Sequence, residues 1–174
     1  MKTIIAISTK EGDEKATFLI EILSLLQMDD FVVKGFVVLQ NFGTDSYIIK
    51  NVETNEQSVI LEKEDESIPR SYKISPEGES QALNWIEDAL EHPPHIAIID
   101  EMDGYESQSK LWSDGFAKLL ETDTPLIFTV KDKHLHEVTE KWNISPKIIL
   151  DSDDFDDPHG AIEKVMEWIK PTQK

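Results

Sequence analysis

Hydrophobic positions along the chain alternate between short runs typical of buried strands and longer stretches with helical spacing. The first run, Thr3 to Ser8, consists of β-branched and small apolar residues and predicts a strand. Apolar residues from about Lys15 to Gln27 then recur at helical spacing and predict a helix. The same criteria predict later strands at 31–39, 47–52, 57–61, 72–74, 95–99, 126–130 and 147–150, and helices opened by Ser75 and spanning 111–120, 133–142 and 158–169.

The order of these segments predicts an α/β fold. Two of the strands, 47–52 and 57–61, are separated by a short polar segment and predict an antiparallel hairpin after the first helix. The run at 95–99 is continuously apolar, as expected for a strand covered by helices on both faces. Strands that alternate with helices favour a mainly parallel sheet flanked by helices in three layers. We expect one domain over residues 1–174.

Composition and charge narrow the classes of function. The 174 residues include no cysteine, which excludes disulfides, thiolate metal sites and cysteine nucleophiles. The net charge of −18 disfavours binding to nucleic acid or to anionic membrane surfaces. No apolar stretch approaches the ~20 residues needed to cross a bilayer, so we expect a cytoplasmic protein. Arg70 is the only arginine, so bidentate phosphate clamps are nearly absent.

Several polar and aromatic clusters favour structural roles. His134 and His136 are two apart on a predicted helix, which places them on different faces and disfavours a shared metal. The acidic run from Asp151 to Asp157 lacks the glycine and terminal glutamate of a calcium loop. We interpret it as a solvated loop that caps the last helix, with cation binding as the alternative. Core packing is expected of the four tryptophans, Trp85, Trp112, Trp142 and Trp168.

Candidate chemistry lies in the turn after the first strand. Ligands of open α/β sheets bind outside the carboxyl ends of the strands. The turn there reads Thr9-Lys10-Glu11-Gly12-Asp13-Glu14-Lys15-Ala16-Thr17. Compared with the phosphate-binding pattern G-x-x-x-x-G-K-[ST], its length and Lys15 fit. Thr9 and Glu14 replace the two glycines, and Ala16 replaces the hydroxyl that holds magnesium.

Beyond this turn, the chain resembles the small nucleoside-triphosphatase family of the cancer-related and thermophile type. The family loop resembles G-P-P-G-V-G-K-T-T, of which Gly12, Lys15 and Thr17 are matched here. Lys34-Gly35-Phe36 is similar to a family segment that precedes a hairpin. The strongest match begins at Ile98-Ile99-Asp100-Glu101 and includes the later Glu106 and Ser109. The resemblance covers about residues 1–150.

This resemblance implies a P-loop fold and a site for a nucleoside triphosphate, ATP or GTP, with Mg²⁺. Asp100 would hold the magnesium-bound water, and Glu101 would orient or activate the attacking water. Lys15 would neutralise the β- and γ-phosphates. Cofactor binding would involve the loop residues Gly12, Lys15, Ala16 and Thr17, with Thr17 as the nearest hydroxyl for the metal.

Departures from the family pattern weaken the predicted activity. Glu14 adds a carboxylate beside a polyanion, and like charges ~4 Å apart repel by roughly 4 kcal/mol at an effective dielectric near 20. Ala16 removes a metal-binding hydroxyl, and the Asn-Arg pair that the family carries after its last strand is missing.

The sequence therefore predicts a binding or regulatory module in which nucleotide hydrolysis is lost or weakened. A protein partner is a further expectation. The alternative is an active Mg²⁺-dependent nucleoside triphosphatase. Two simpler interpretations stay open. Lys15 is then a solvated helix residue, and Asp100 and Glu101 are ordinary loop residues.

Overall fold

The protein is described by a computed structural model over residues 2–10, 14–41, 43–65, 67–68, 72–101 and 113–169. Gly12, Arg70, Glu106, Ser109 and Trp112 lie outside these residues. The described chain forms eight strands: β1 (Ile4–Thr9), β2 (Val33–Asn41), β3 (Ser46–Asn51), β4 (Gln57–Lys63), β5 (Tyr72–Ile74), β6 (Ile96–Ile99), β7 (Leu126–Lys131) and β8 (Ile148–Leu150). The predicted strands are thereby confirmed, with ends that differ by a few residues.

All eight strands belong to one sheet, in the order β5-β4-β3-β2-β6-β7-β1-β8. The pairs β2–β6, β6–β7, β7–β1 and β1–β8 are parallel. The strands β2 to β5 follow one another in antiparallel pairs, which confirms the predicted hairpin. The amino-terminal strand β1 therefore lies inside the parallel part of the sheet, between two strands from the second half of the chain.

Helices cover both faces of the sheet, as predicted. They are α1 (Lys15–Met28), α2 (Pro76–Glu91), α3 (Ser113–Leu120), α4 (Asp132–Lys141), α5 (Ser152–Phe155) and α6 (Pro158–Met166). Alternate side chains of β1 enter two hydrophobic cores, with Ile4 and Ala6 on one side and Ile5 and Ile7 on the other. The first core packs against α2, α3 and α4, and the second against α1 and α6. No helix in the described parts of the chain has the length and apolar character to span a bilayer.

Two glycines permit close approaches that position the helices and strands. Gly35 in β2 has a φ of 121°, and a Cβ there would lie 1.9 Å from the carbonyl oxygen of Ile98 in the neighbouring β6. Gly78 in the first turn of α2 is buried, and a Cβ there would lie 2.0 Å from the carbonyl oxygen of Val59 in β4. Helix α2 therefore rests directly on the backbone of the antiparallel strands. Its predicted amino-terminal cap is confirmed, since the Ser75 hydroxyl accepts a hydrogen bond from Gly78 N–H.

Lys2 joins the start of β1 to the end of α3. Its ammonium donates to the backbone carbonyl oxygens of Leu119 at 2.8 Å, Thr122 at 2.7 Å and Thr124 at 2.6 Å. The last carbonyl groups of a helix have no partner within the helix, and a cation also interacts favourably with the helix dipole there. The lysine thus caps α3 from a distant part of the sequence.

Two sequence-based expectations are corrected. The acidic run is not entirely a loop, because residues 152–155 form the single turn α5, with Asp151 and Asp154 in a reciprocal capping box. Asp157 does cap α6, as predicted, by accepting a hydrogen bond from Gly160 N–H. Trp168 does not pack in the core; it is 47% exposed and contacts the Lys147 ammonium with its ring.

Candidate functional site

A cavity of about 130 Å³ lies where the carboxyl ends of β1, β6 and β7 meet the start of α1. Parallel strands bring their carboxyl ends to one edge of the sheet, and this edge is where α/β proteins bind ligands. The described residues that line the cavity come from the ends of these three strands and from the start of α1; they are Thr9, Lys10, Lys15, Glu101, Thr129, Val130 and Lys131.

Asp100 lies beneath this cavity and is almost completely buried, at 1% exposure. It follows the apolar strand β6 directly, so the strand itself sets its position. One carboxylate oxygen, Oδ2, accepts a hydrogen bond from Val38 N–H at 2.8 Å in β2. The other, Oδ1, accepts a hydrogen bond from the Thr129 hydroxyl in β7. Both neighbouring strands thus hold the carboxylate, which provides partners for a buried charge that would otherwise be costly.

Glu101 has an uncommon backbone conformation, with a φ of 67°. This left-handed conformation is sparsely populated by residues other than glycine and costs of the order of 1–3 kcal/mol. Its backbone N–H donates a hydrogen bond to the Thr129 hydroxyl oxygen at 2.7 Å. The Glu101 carboxylate is at the cavity, where it accepts a hydrogen bond from Lys15. The strained backbone therefore turns the chain so that Asp100 and Glu101 both reach one ammonium group.

That ammonium group belongs to Lys15, the first residue of α1. Its Nζ lies 2.9 Å from Asp100 Oδ1 and also forms an ion pair with Glu101. Burial of the ammonium lowers its pKa, but the charges of Asp100 and Glu101 and their hydrogen bonds more than offset this effect. The net result is a raised pKa, so Lys15 is a fixed positive charge at physiological pH. The structure thus brings together the three residues Lys15, Asp100 and Glu101.

The residues that flank Lys15 in the sequence are Glu14, Ala16 and Thr17. Glu14 precedes α1 with a φ of −84°, a conformation that does not require glycine, and its side chain makes no capping hydrogen bond. Glu14 and Thr17 are exposed and Ala16 is partly buried. None of these three is among the described residues that line the cavity. Thr17 as a metal ligand and Ala16 as a cofactor contact therefore stay predictions, and Gly12 lies outside the described residues.

Sequence reasoning missed Thr129, Lys10 and Lys131. Thr129 is 1% exposed and its hydroxyl joins Asp100 to the backbone of Glu101. The polar Thr129 within the apolar run 126–130 was the available signal, since a buried hydroxyl in a strand requires a partner. Lys10 and Lys131 reach the same cavity because Thr9 and Lys131 are register partners on β1 and β7.

The carboxylates suit magnesium, a metal that prefers oxygen ligands. Mg²⁺ is usually bound through one or two carboxylates together with substrate phosphates and water. Asp100 and Glu101 offer such a pair beside the cavity. No group of three or more His, Asp or Glu side chains arranged for a metal occurs among the described residues, so a site formed entirely by protein side chains is not found there.

Comparisons with known proteins show the family and the fold. The family model described as "NTPase" matches residues 4–150, a span that includes the loop after β1, Asp100, Glu101 and Thr129. The solved structure of THEP1 from the hyperthermophile Aquifex aeolicus is similar in fold, with a TM-score of 0.72 at 17% sequence identity. This alignment covers 98% of the present chain and 100% of THEP1. A comparison with curated protein sequences finds no match. Because the family model spans most of the chain, and the sheet with its flanking helices has the P-loop architecture that the sequence predicted, the chain belongs to this NTPase family.

Proposed function

We propose that the protein binds the Mg²⁺ complex of a nucleoside triphosphate at the cavity and acts mainly as a binding or regulatory module with weak or no hydrolysis. The observation that carries this proposal is the meeting of Lys15 with Asp100 and Glu101 at the start of α1. A cation at a helix start suits a phosphate chain, and the two carboxylates suit the accompanying metal. When bound, Mg²⁺ would neutralise part of the charge of the phosphates, and the carboxylates of Asp100 and Glu101 would hold it and its water.

The same contacts support weak binding. The Lys15 ammonium is already neutralised by two carboxylates, so a phosphate chain must compete with them for it. Glu14 places a third carboxylate immediately before the helix start, and Ala16 offers no hydroxyl. Because Glu14 is exposed, solvent screens its repulsion of a ligand and reduces the roughly 4 kcal/mol expected for an unscreened pair at an effective dielectric near 20.

A second candidate function, active hydrolysis of the terminal phosphate, is favoured by Glu101. Its carboxylate is at the cavity and 35% exposed, so it can reach water there. A carboxylate in this position could orient or activate an attacking water molecule, provided that the phosphate chain binds beside Lys15. Single-turnover measurements of phosphate release would separate this candidate from binding alone.

Thermal unfolding with added Mg²⁺–ATP and Mg²⁺–GTP tests the binding proposal. Ligand at a hundredfold excess over its dissociation constant should stabilise the fold by ~2.7 kcal/mol. Lys15→Ala should remove this stabilisation, whereas Lys133→Ala, an exposed lysine of α4, should retain it. The absence of stabilisation at millimolar concentrations of either nucleotide would reject the proposal.

Repair of the loop tests the explanation for weak binding. The double variant Glu14→Gly, Ala16→Thr removes the added carboxylate and restores the missing hydroxyl. We expect it to bind Mg²⁺–ATP at least about tenfold more tightly, the factor that corresponds to 1.4 kcal/mol. Titration calorimetry on the native and double-variant proteins measures this difference. Unchanged affinity would mean that these two residues do not weaken the site.

A further inference from the structure

Three lysines surround the cavity in a protein whose net charge is −18. Lys10 follows β1, Lys15 begins α1 and Lys131 ends β7. The register of the sheet brings them together, because Thr9 pairs with Lys131 and Lys10 comes next along the chain. Among the described residues at the cavity, these three lysines outnumber the carboxylates of Glu101 and the buried Asp100, and this excess of positive charge favours an anionic ligand.

The lining of the cavity is suited to phosphate groups. None of the described residues that line it is aromatic, and Val130 is the only apolar side chain among them. Sites for larger organic ligands are typically about 300–1,000 Å³ and mainly apolar or aromatic. A volume of about 130 Å³ is smaller than this range. Helix α1 starts at the cavity and has no acidic residue in its first turn, so its amino-terminal N–H groups favour an anion; the exposed carboxylate of the preceding Glu14 acts against this but is screened by solvent.

We propose that the cavity recognises the phosphate chain itself, with Lys10 and Lys131 contacting the terminal phosphate, so that inorganic tripolyphosphate and pyrophosphate are ligands alongside nucleotides. This inference rests on the proposed function in that it places the phosphate chain beside Lys15. The two flexible ammonium groups of Lys10 and Lys131 provide the positive charge that arginine commonly supplies in phosphate sites. The base and sugar then contribute little of the binding energy within this cavity.

Titration calorimetry with magnesium in excess tests the proposal. The ligands are tripolyphosphate, pyrophosphate, ATP and adenosine, each added to the native protein and to the variants Lys10→Met and Lys131→Met. Lys133→Met is the matched control, since it removes the same charge from α4 at an exposed position outside the cavity. We expect tripolyphosphate to bind within tenfold of ATP, and adenosine not to bind at millimolar concentration. Each of the two cavity variants should weaken tripolyphosphate and ATP about tenfold, and the control should leave both unchanged.

The outcomes separate this inference from the proposed function. Binding of ATP more than tenfold tighter than tripolyphosphate, or affinities unchanged in both cavity variants, would overturn the inference and leave nucleotide binding intact. Binding of tripolyphosphate without ATP would support the inference and reject the nucleotide proposal. Failure of both ligands to bind at millimolar concentration would overturn the inference and the proposed function together.

Discussion

At the scale of single residues, the site depends on one ammonium group shared by two carboxylates. Lys15 compensates the charge of Asp100, which is 1% exposed, and of Glu101 at the cavity. Removal of one member of a buried charge cluster leaves the others uncompensated and typically costs 3–5 kcal/mol. Because Glu101 is partly exposed, we expect Lys15→Met to lower the free energy of unfolding by about 3 kcal/mol, at the lower end of this range. Urea unfolding of both proteins measures the loss.

The raised pKa of Lys15 also fixes the pH dependence of this loss. A lysine whose pKa is higher in the folded protein contributes its full stabilisation below the pKa of the unfolded chain, about 10.4. The stabilisation is lost only as the pH rises through the still higher folded value. The stability difference between the native protein and Lys15→Met should therefore stay constant from about pH 7 to pH 9. A difference that falls steadily across this interval would contradict the raised pKa.

Thr129 is expected to be a positioning residue for Asp100 and Glu101. Thr129→Val keeps the shape of the side chain but leaves Glu101 N–H without its hydroxyl partner and removes one donor to Asp100. We expect a cost of about 1–3 kcal/mol in unfolding free energy and weaker Mg²⁺–ATP binding. Thr129→Ser, which keeps the hydroxyl, should restore binding even where it lowers stability. If serine and valine weaken binding equally, the hydroxyl does not position the carboxylates.

The residues of the site were predictable to different degrees. Lys15, Asp100 and Glu101 occur within recognisable motifs, and the structure brings the three side chains together, while their roles toward a nucleotide stay predictions. Thr129 and Lys131 carry no local motif, since their role depends on the register between β6, β7 and β1. The amino-acid sequence alone does not reveal which residues of these strands pair with each other. The left-handed backbone of Glu101 was equally hidden, because most glutamates do not adopt it.

At the scale of elements, the hydrophobic pattern predicted nearly the whole fold. Strand β6 consists of uninterrupted apolar residues, and β7 is interrupted only by Thr129 before its final Lys131, a pattern with a direct physical cause in burial on both faces. Among the elements that the structure describes, the exception was α5, a single turn in an acidic segment without apolar periodicity. Its capping box and the ion pair of Lys164 with Asp154 are local polar interactions, which hydrophobic periodicity does not detect.

The contact of α2 with the antiparallel strands gives a prediction at this scale. Gly78→Ala would place a Cβ 2.0 Å from the Val59 carbonyl oxygen, and backbone cannot move aside as a flexible side chain can. We expect a loss of about 1–3 kcal/mol or more, as for other overpacked sites. Gly43→Ala is the control, because among the described residues only the Asn41 side chain lies near, at 3.5 Å. Equal thermal stability of the two variants would show that α2 can shift without cost.

At the scale of the whole molecule, the net charge of −18 repels the anionic ligand that the cavity attracts. A polyphosphate is repelled at long range before it reaches the lysines of the site. The Debye length falls from about 30 Å at 0.01 M salt to about 8 Å at 0.15 M, so added salt screens this repulsion. We expect the association rate of Mg²⁺–tripolyphosphate to rise several-fold over this interval. Stopped-flow measurements would contradict this account if the rate fell.

The position of β1 has a consequence for biosynthesis. Both neighbours of this strand, β7 and β8, come from the second half of the chain, and Lys2 is held by carbonyl groups at and just after the end of α3. Strand β1 leaves the ribosome before both partners and therefore waits until residue 131 and then residue 150 have emerged. Ribosome-bound chains arrested before β7 should be digested readily by protease at their amino-terminal end, and chains that expose β8 should resist digestion.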